Sequence, residues 1–238
     1  MSTQSAPRTA RDFARIELTR QILANARAQL AEVGPGELSV RQIARELGMA
    51  SSAVYRYFPS RDHLITALLI QCYDESGAAV EVADAGVPRA QLHKRWVAAS
   101  AALRDWALAN RHEYALLYGS PVPGYTAPRD TVPAAARVGV VLGRILGDAA
   151  RAGELPEGNG ERDAALVSDE TAAVLGGEHA SLDETVRVRG LLAWSSLFGT
   201  ISFELFGHFV GSVEDGDRYF DRAMTDLAEL IGFARDED

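Results

Sequence analysis

The chain has 238 residues, of which 47% are hydrophobic and 24% charged, and its formal net charge is −9. These proportions exclude a largely disordered chain, and the length allows one large or two modest domains. The single cysteine, Cys72, excludes an intrachain disulfide and favours a cytoplasmic location. No apolar run reaches the roughly 20 residues that span a bilayer, and the polar N-terminus is not followed by the apolar segment of a secretory signal. We therefore expect no membrane association.

The charge is distributed unevenly along the chain. Residues 1–63 contain nine arginines and six acidic residues, a net charge of +3, so the remainder carries −12. A surface that faces phosphate is therefore expected in this basic N-terminal part alone.

Apolar residues at helical spacing predict helices along the first third of the chain. A first helix runs from about Ile16 to Val33 and ends at Gly34. Ser39 and Gln42 form a predicted capping box that starts a second helix, which stops at Gly48. A third helix is predicted over 51–58, and a fourth starts at a Ser60 cap and frays near 84–87.

The rest of the chain is also predicted to be helical. A fifth helix opens at Pro88, a short sixth ends at Gly119, and the prolines of 119–133 predict an irregular loop. A seventh helix covers 134–152, and residues 164–180 are assigned a weak helix and a loop. A capping box at Ser181 starts a long apolar helix through Phe209. Asp215 or Asp217 caps the last helix.

The sharpest pattern lies in residues 39–58. Ala44, Gly48 and Val54 have the spacing of a helix-turn-helix, in which a small residue permits close crossing, glycine forms the turn and a branched residue fills the joint. A plain pair of antiparallel helices uses the same joint, so this pattern alone leaves that alternative open. The outward residues of the third helix are small and hydrogen-bonding rather than acidic, which favours DNA binding.

Residues 13–70 resemble the TetR family of bacterial one-component regulators, most densely in the stretches 39–49 (SVRQIARELGM) and 53–61 (AVYRYFPSR). Residues 114–125 and 191–208, including Trp194, Gly199 and His208, resemble the subgroup whose C-terminal domain is named for a Trp-His-Gly motif. Phe198 stands where that subgroup has its histidine.

The resemblance implies an all-α fold with two domains. The expected division is a disordered tail at 1–11, a three-helix helix-turn-helix DNA-binding domain at 12–60, and a helical-bundle ligand-binding and dimerisation domain at 61–238. It also implies a transcriptional regulator, a repressor more than an activator.

The family pattern assigns the DNA contacts. In that pattern, Arg41 and Arg56 each reach a base edge or a phosphate, and residues 50–53 contact bases. The hydroxyls of Tyr55 and Tyr57 and the guanidinium of Arg61 contact phosphate. The predicted DNA-binding residues are Ser39, Arg41, Ala50, Ser51, Ser52, Ala53, Tyr55, Arg56, Tyr57 and Arg61. Ala50 replaces the Ser or Thr that usually caps the third helix. Ser51 is expected to take over the cap and shift the helix start by one residue.

The resemblance further implies a homodimer on a palindromic operator and a small-molecule effector bound in the C-terminal domain. The predicted dimer interface comprises Leu197, Ile201, Leu205, Phe209, Phe220, Leu227 and Leu230. The predicted ligand-lining residues are Trp96, Leu103, Tyr114, Tyr118, Tyr125, Leu142, Ile145, Trp194 and Phe198. Each of these is equally compatible with an ordinary core position. Glu204 and His208, spaced i, i+4 within the apolar helix, predict a buried pair. This spacing favours a structural or interface hydrogen bond over a ligand anchor.

Two other classes of protein are alternatives to a regulator. An enzyme is not expected, because the sequence shows no nucleophile elbow, phosphate loop or His-Glu-x-x-His motif. The histidines do not have metal-ligand spacing, so neither a metal nor a cofactor is expected. The second alternative is a helical ligand-binding or interaction protein without specific DNA binding. The intact Arg41, Tyr55, Tyr57 and Arg61 argue against it.

Overall fold

The computed structural model describes residues 9–155, 166–168, 171 and 184–234. These residues form ten α-helices and no strand, as the sequence predicted. The helices are α1 (Ala10–Val33), α2 (Val40–Glu46), α3 (Ser51–Tyr55), α4 (Arg61–Ala85), α5 (Leu92–Ala109), α6 (Arg111–Tyr118), α7 (Val132–Ala135), α8 (Arg137–Ala152), α9 (Glu184–Leu205) and α10 (Gly216–Ile231). Short 3₁₀ turns lie at Pro35–Glu37 and Arg129–Thr131.

The chain packs as two compact units. The first contains the residues up to Cys72 together with His112–Thr131, and the second contains Tyr73–Arg111 together with the residues from Val132 onward. The helices α4 and α6 therefore each contribute to both units. The functional division expected at residue 61 coincides with the start of α4 and stays a prediction.

The first unit is built on α1. Thr9 caps this helix by accepting the Asp12 amide hydrogen, so α1 begins at Ala10 and includes two residues that the sequence assigned to the tail. Residues 1–8 of that tail lie outside the described residues. An ion pair of 2.9 Å between Arg27 and Glu113 joins α1 to α6.

A second contact holds the proline-rich loop against the first unit. The hydroxyls of Tyr125 and Thr66 lie 2.8 Å apart, which joins this loop to α4. Residues 112–131 are thereby attached to α1 and to the first part of α4 within the first unit.

The second unit packs α5 against α8, α9 and α10. The indole of Trp96, which is 1% exposed, donates to the Met224 carbonyl at 3.0 Å and so joins α5 to α10. Arg104 donates to both carboxylate oxygens of Glu204, at 2.6 and 2.7 Å, and to Asp217 at 2.8 Å. The hydrogen bond with Glu204 raises the pKa of the Arg104 guanidinium, which stays charged.

The predicted pair of Glu204 and His208 is therefore wrong. Glu204 is bound to Arg104, and His208 is exposed and stacks on Phe203 with ring centroids 4.9 Å apart. The helix ends at Leu205, and Gly207 has a φ of 79°, so helical i, i+4 spacing does not continue to residue 208.

Arginines from α5 and α8 fix the C-terminal half of α4. Arg95, 3% exposed, bonds to Asp84 of α4 and to Asp148 of α8, each at 2.7 Å. Arg137 bonds to both carboxylate oxygens of Glu81, at 2.9 and 2.7 Å, and to Asp74 at 2.8 Å. Acidic side chains of α4 are thus paired with buried or half-buried arginines.

Several predicted boundaries move. The fifth helix starts at Leu92 rather than Pro88, and the predicted helix at 134–152 is divided into α7 and α8. The long helix ends at Leu205 rather than Phe209. The predicted cap at Ser181 and most of the 164–180 assignment lie outside the described residues.

Two caps agree with the sequence. Asp215 caps α10 by accepting the Arg218 amide hydrogen, and the Ser60 hydroxyl accepts that of His63 at the start of α4. In the parts of the chain that the structure describes, no helix is both long and apolar enough to cross a membrane.

Candidate nucleic-acid interface

The joint between α2 and α3 has the predicted construction. Ala44 and Val54 are completely buried, and Gly48 has a φ of 65°, which a residue with a side chain rarely adopts. The Met49 amide donates to the Ala44 carbonyl at 2.8 Å and closes the turn. The helix α3 is therefore held across α2 with its far side outward.

The helix α3 is shorter than predicted. It spans Ser51–Tyr55, and Ala50 is its N-cap, without a side-chain hydrogen bond. The expectation that Ser51 would take over the cap is wrong, because the Ala50 carbonyl already accepts the Ala53 amide hydrogen at 2.8 Å. The helix stops at Tyr55 rather than at residue 58. Arg56 and Tyr57 form a turn that leads to the buried Phe58.

The outer side of α3 is polar and free of negative charge. Ala50, Ser52, Tyr55 and Arg56 are exposed, and Ser51, Ala53 and Tyr57 are half-buried. Arg41, on the first turn of α2, is also exposed. The side chains of Arg41, Tyr55 and Arg56 form no hydrogen bond or ion pair with any residue that the structure describes. They are therefore available to an external partner.

A cleft of about 420 Å³ lies where α2 begins. It is lined by Gly36, Glu37, Leu38, Ser39, Val40, Arg41, Tyr55 and Arg61. The lining residues include two arginines and a tyrosine against one glutamate, so the cleft suits a phosphate. The structure thus brings together four of the predicted DNA-binding residues, which come from three separate helices and the residue before α2.

Arg61 has a second contact that the sequence did not predict. Its Nη2 donates to the carbonyls of Pro35 and Gly36, at 2.7 and 2.8 Å. This side chain therefore fixes the 3₁₀ turn before α2 and also lines the cleft.

The predicted capping box is half right. The Ser39 hydroxyl accepts the Gln42 amide hydrogen at 3.3 Å, as expected. The Gln42 side chain instead donates to Glu46, and the Ser39 amide donates to the Oε1 of Gln29 in α1 at 2.5 Å. Gln29 is a residue that sequence reasoning missed. Its signal was a polar residue on the buried face of an amphipathic helix.

The predicted ligand-lining residues divide between the two units. Tyr114, Tyr118 and Tyr125 belong to the first unit, and the first two stack with centroids 5.0 Å apart. The others belong to the second unit, where Trp96, Leu103, Leu142 and Ile145 are buried core residues. Trp194 is 36% exposed and packs against Phe198, with the ring centroids 5.0 Å apart and the rings tilted by 49°.

The predicted interface residues also differ in exposure. Leu197, Ile201 and Phe220 are at most 2% exposed, so they form the core of the single chain. Leu205, Phe209 and Leu227 are half-buried, and Leu230 is 41% exposed.

Besides Trp194, the exposed apolar residues on α9 and directly after it lie outside the predicted interface and ligand-lining sets. They are Val188, Leu192 and Phe203 of α9 and Phe206 directly after it, between 37% and 51% exposed. Ser195 and Gly199 continue the same face of the helix, because all six positions recur at helical spacing. We call these six residues the α9 stripe.

A short exposed helix held across a second helix by a buried joint is the arrangement of helix-turn-helix DNA-binding proteins. Residues 22–68 match the bacterial regulatory proteins of the tetR family, and residues 96–227 match the tetracyclin repressor-like C-terminal domain. The HTH-type transcriptional regulator Rv1816 of Mycobacterium tuberculosis is 35% identical over 204 residues, which cover 82% of this chain and 84% of that protein. The chain belongs to the TetR family, and it is a DNA-binding transcriptional regulator rather than an enzyme.

Solved structures support the same fold. The regulatory protein SCO4313 has a TM-score of 0.71 and 31% identity, covering 93% of this chain and 100% of that one. A protein with unknown function from Rhodococcus sp. RHA1 has a TM-score of 0.66 and 26% identity, and the match covers 90% of this chain and 93% of that one.

Proposed function

We propose that this regulator is a cytoplasmic repressor that binds a palindromic operator as a homodimer and is released by a small molecule. The observation that carries the DNA-binding part is the cleft that Arg41, Tyr55 and Arg61 share, next to the acid-free outer side of α3. A net charge of +3 in residues 1–63 is small for one binding unit. Two copies of the chain on adjacent half-sites double the number of phosphate contacts and the length of DNA sequence that is recognised.

The contacts divide into two kinds. Tyr55, Tyr57 and Arg61 are proposed to hold phosphates and so to fix the register of the protein on the duplex. Arg41 and Arg56 have the length and the donors to reach base edges. Ser51, Ser52 and Ala53 of α3 have short side chains, so we propose that thymine-methyl contacts and DNA shape supply the remaining specificity.

Binding to the DNA upstream of its own gene tests the proposal. We expect specific retention in a gel-shift experiment, with an affinity that falls steeply as the salt concentration rises, because each neutralised phosphate releases counterions. Retention that is equal for an unrelated duplex of the same length would support the alternative of a helical binding protein without specific DNA recognition.

Two variants separate the kinds of contact. Tyr57→Phe removes one hydroxyl, and we expect it to weaken binding to all duplexes alike. Arg41→Ala removes the long donor, and we expect it to reduce the difference between the preferred duplex and its single-base variants by a factor of about 5 or more. Both variants are compared with wild type at one fixed salt concentration. Unchanged affinity in both would contradict the proposed docking.

The α9 stripe supports dimerisation. A helix face with four large apolar residues in water is unfavourable, since apolar area that becomes buried contributes about 25 cal/mol per Å². Ser195 and Gly199 at the middle of the stripe let a partner helix approach closely. We therefore propose that two copies meet through the α9 stripe, together with the exposed Tyr219 and Leu230 of α10.

Unpartnered polar atoms in α5 support an effector site in the second unit. His93 Nε2, Ser100 Oγ and Trp106 Nε1 are buried and have no hydrogen-bond partner among the described residues. Each such group costs about 1–3 kcal/mol when it is left unsatisfied. We propose that a small molecule with hydrogen-bonding groups on an apolar frame satisfies part of this set.

Native mass spectrometry of the purified protein tests this part. We expect a non-covalent adduct of a few hundred daltons whose removal changes operator affinity, and whose binding is weaker in Ser100→Ala. An adduct that Ser100→Ala retains unchanged would place the molecule elsewhere.

A further inference from the structure

We infer that Gln29 is a positioning residue for DNA recognition, because its side chain fixes the first turn of the helix that carries Arg41. The inference rests on the proposed DNA-binding function. Gln29 lies on α1, is 1% exposed and is outside the predicted DNA-binding set. Its Oε1 accepts the amide hydrogen of Ser39, the N-cap residue of α2, at 2.5 Å.

Two hydrogen bonds of Ser39 fix the start of α2. The Ser39 hydroxyl caps the Gln42 amide from within α2, and Gln29 binds the Ser39 amide from α1. The Gln42 side chain, which a local capping box would use for that amide, is bonded to Glu46 instead. The acceptor for the Ser39 amide hydrogen is therefore a residue of α1 and not a residue of α2 itself. In this way α1 sets the position at which α2 begins.

The same short connection has a second attachment. Arg61 of α4 bonds to the carbonyls of Pro35 and Gly36, just before Ser39. The segment 35–39 is thus fixed to α1 at one end and to α4 at the other. Arg41 follows two residues later and lines the same cleft, so a shift of Ser39 displaces the Arg41 side chain relative to a bound base edge.

Three variants test the inference. Gln29→Met keeps the length and removes the acceptor, and Gln29→Glu keeps an acceptor oxygen. Gln42→Met is the matched control, because the side chain of Gln42 binds Glu46 rather than Ser39. The probe is the duplex that wild-type protein recovers from a random library, together with its single-base variants. For Gln29→Met we expect the preference at the base that Arg41 contacts to fall by a factor of about 5 or more.

The expected pattern distinguishes positioning from general stability. Gln29→Glu and Gln42→Met retain the wild-type base preference, even where the melting temperature falls. If Gln29→Met retains the wild-type preference, the inference is overturned while the proposed function stands. If wild-type protein recovers no specific duplex, the proposed function fails, and the inference fails with it.

A measurement on unaltered protein covers the case in which Gln29→Met does not fold. Amide hydrogen exchange of Ser39 in the full wild-type chain should be slow, because its N–H is bonded to a buried acceptor. Exchange at the rate of an unstructured loop would overturn the inference.

Discussion

Replacing Gly77 by alanine tests how closely α8 approaches α4. Gly77 lies in the middle of α4 and is buried, and a Cβ built on it would lie 2.6 Å from the Cβ of Arg137 and 3.0 Å from its Nε. The first of these atoms is attached to the backbone of α8, so a rotation of the side chain cannot relieve the contact. The backbone of one helix has to move. That movement disturbs the bonds from Arg137 to Glu81 and Asp74.

Two opposing effects decide the sign. Glycine to alanine in a helix interior is worth about 1 kcal/mol in favour of alanine. Overpacking a close contact costs about 1–3 kcal/mol, and weakening the half-exposed ion pairs adds less than about 1 kcal/mol. These terms leave a net loss between zero and about 3 kcal/mol, and we expect Gly77→Ala to lower the unfolding free energy by about 1–2 kcal/mol, the middle of that range. In a chain of this size that corresponds to a fall in melting temperature of roughly 2–8 °C.

Differential scanning calorimetry measures the effect, with Ala78→Gly as the matched control. Ala78 is the next residue of α4 and is exposed, so that variant reports the helix-propensity difference alone. We expect both substitutions to destabilise the protein, although they are opposite in chemistry. A higher melting temperature for Gly77→Ala would refute the close approach of Arg137 to α4.

Three further outcomes are expected. Phe203→Glu places a charge in the α9 stripe and should convert the proposed dimer to monomer in sedimentation experiments without loss of helical circular dichroism. An unchanged dimer would remove the α9 stripe from the interface. A hydrogen bond from Arg137 lowers the pKa of Glu81 from 4.5, so its contribution to stability is present above pH 4.5 and is lost as the pH falls through the lowered value. Glu81→Gln should therefore reduce the unfolding free energy by less than about 1 kcal/mol at pH 7, and the difference from wild type should disappear in acid. Denaturant titrations at several pH values measure this difference. Asp215→Ala removes the cap that accepts the Arg218 amide hydrogen and should cost about 1 kcal/mol in thermal unfolding. No change in melting temperature would contradict that capping role.

The helix-turn-helix joint could be predicted because its determinants are local. Ala44, Gly48 and Val54 lie within eleven positions of one another, and each has a residue type that its place requires. The caps at Asp215 and Ser60 were predicted for the same reason, since a cap acts on an amide only a few residues away. Patterns of this kind depend little on how the rest of the chain packs.

The bond between Gln29 and Ser39 could not be predicted. Ser39 has a suitable local partner in Gln42, and only the packing of α1 against α2 shows that a residue ten positions earlier takes that role. The Arg104 contact with Glu204 spans 100 positions, and the sequence offered His208 as a local partner instead.

The dimer interface could not be predicted for a different reason. The helix α9 is apolar around most of its circumference, so periodicity does not indicate which side faces the core. The structure buries Leu197 and Ile201 and leaves Leu192 and Phe203 exposed.

Hydroxyl-radical footprinting of the wild-type protein on its selected duplex tests the central claim most directly. Two copies with one recognition helix each should protect two backbone segments on the same side of the duplex, about 34–36 Å apart or somewhat more. The Arg41→Ala variant should give the same two segments at higher protein concentration. One uninterrupted protected stretch, or protection without a fixed position on the duplex, would contradict the proposal that two copies of the chain bind the duplex through their α3 helices.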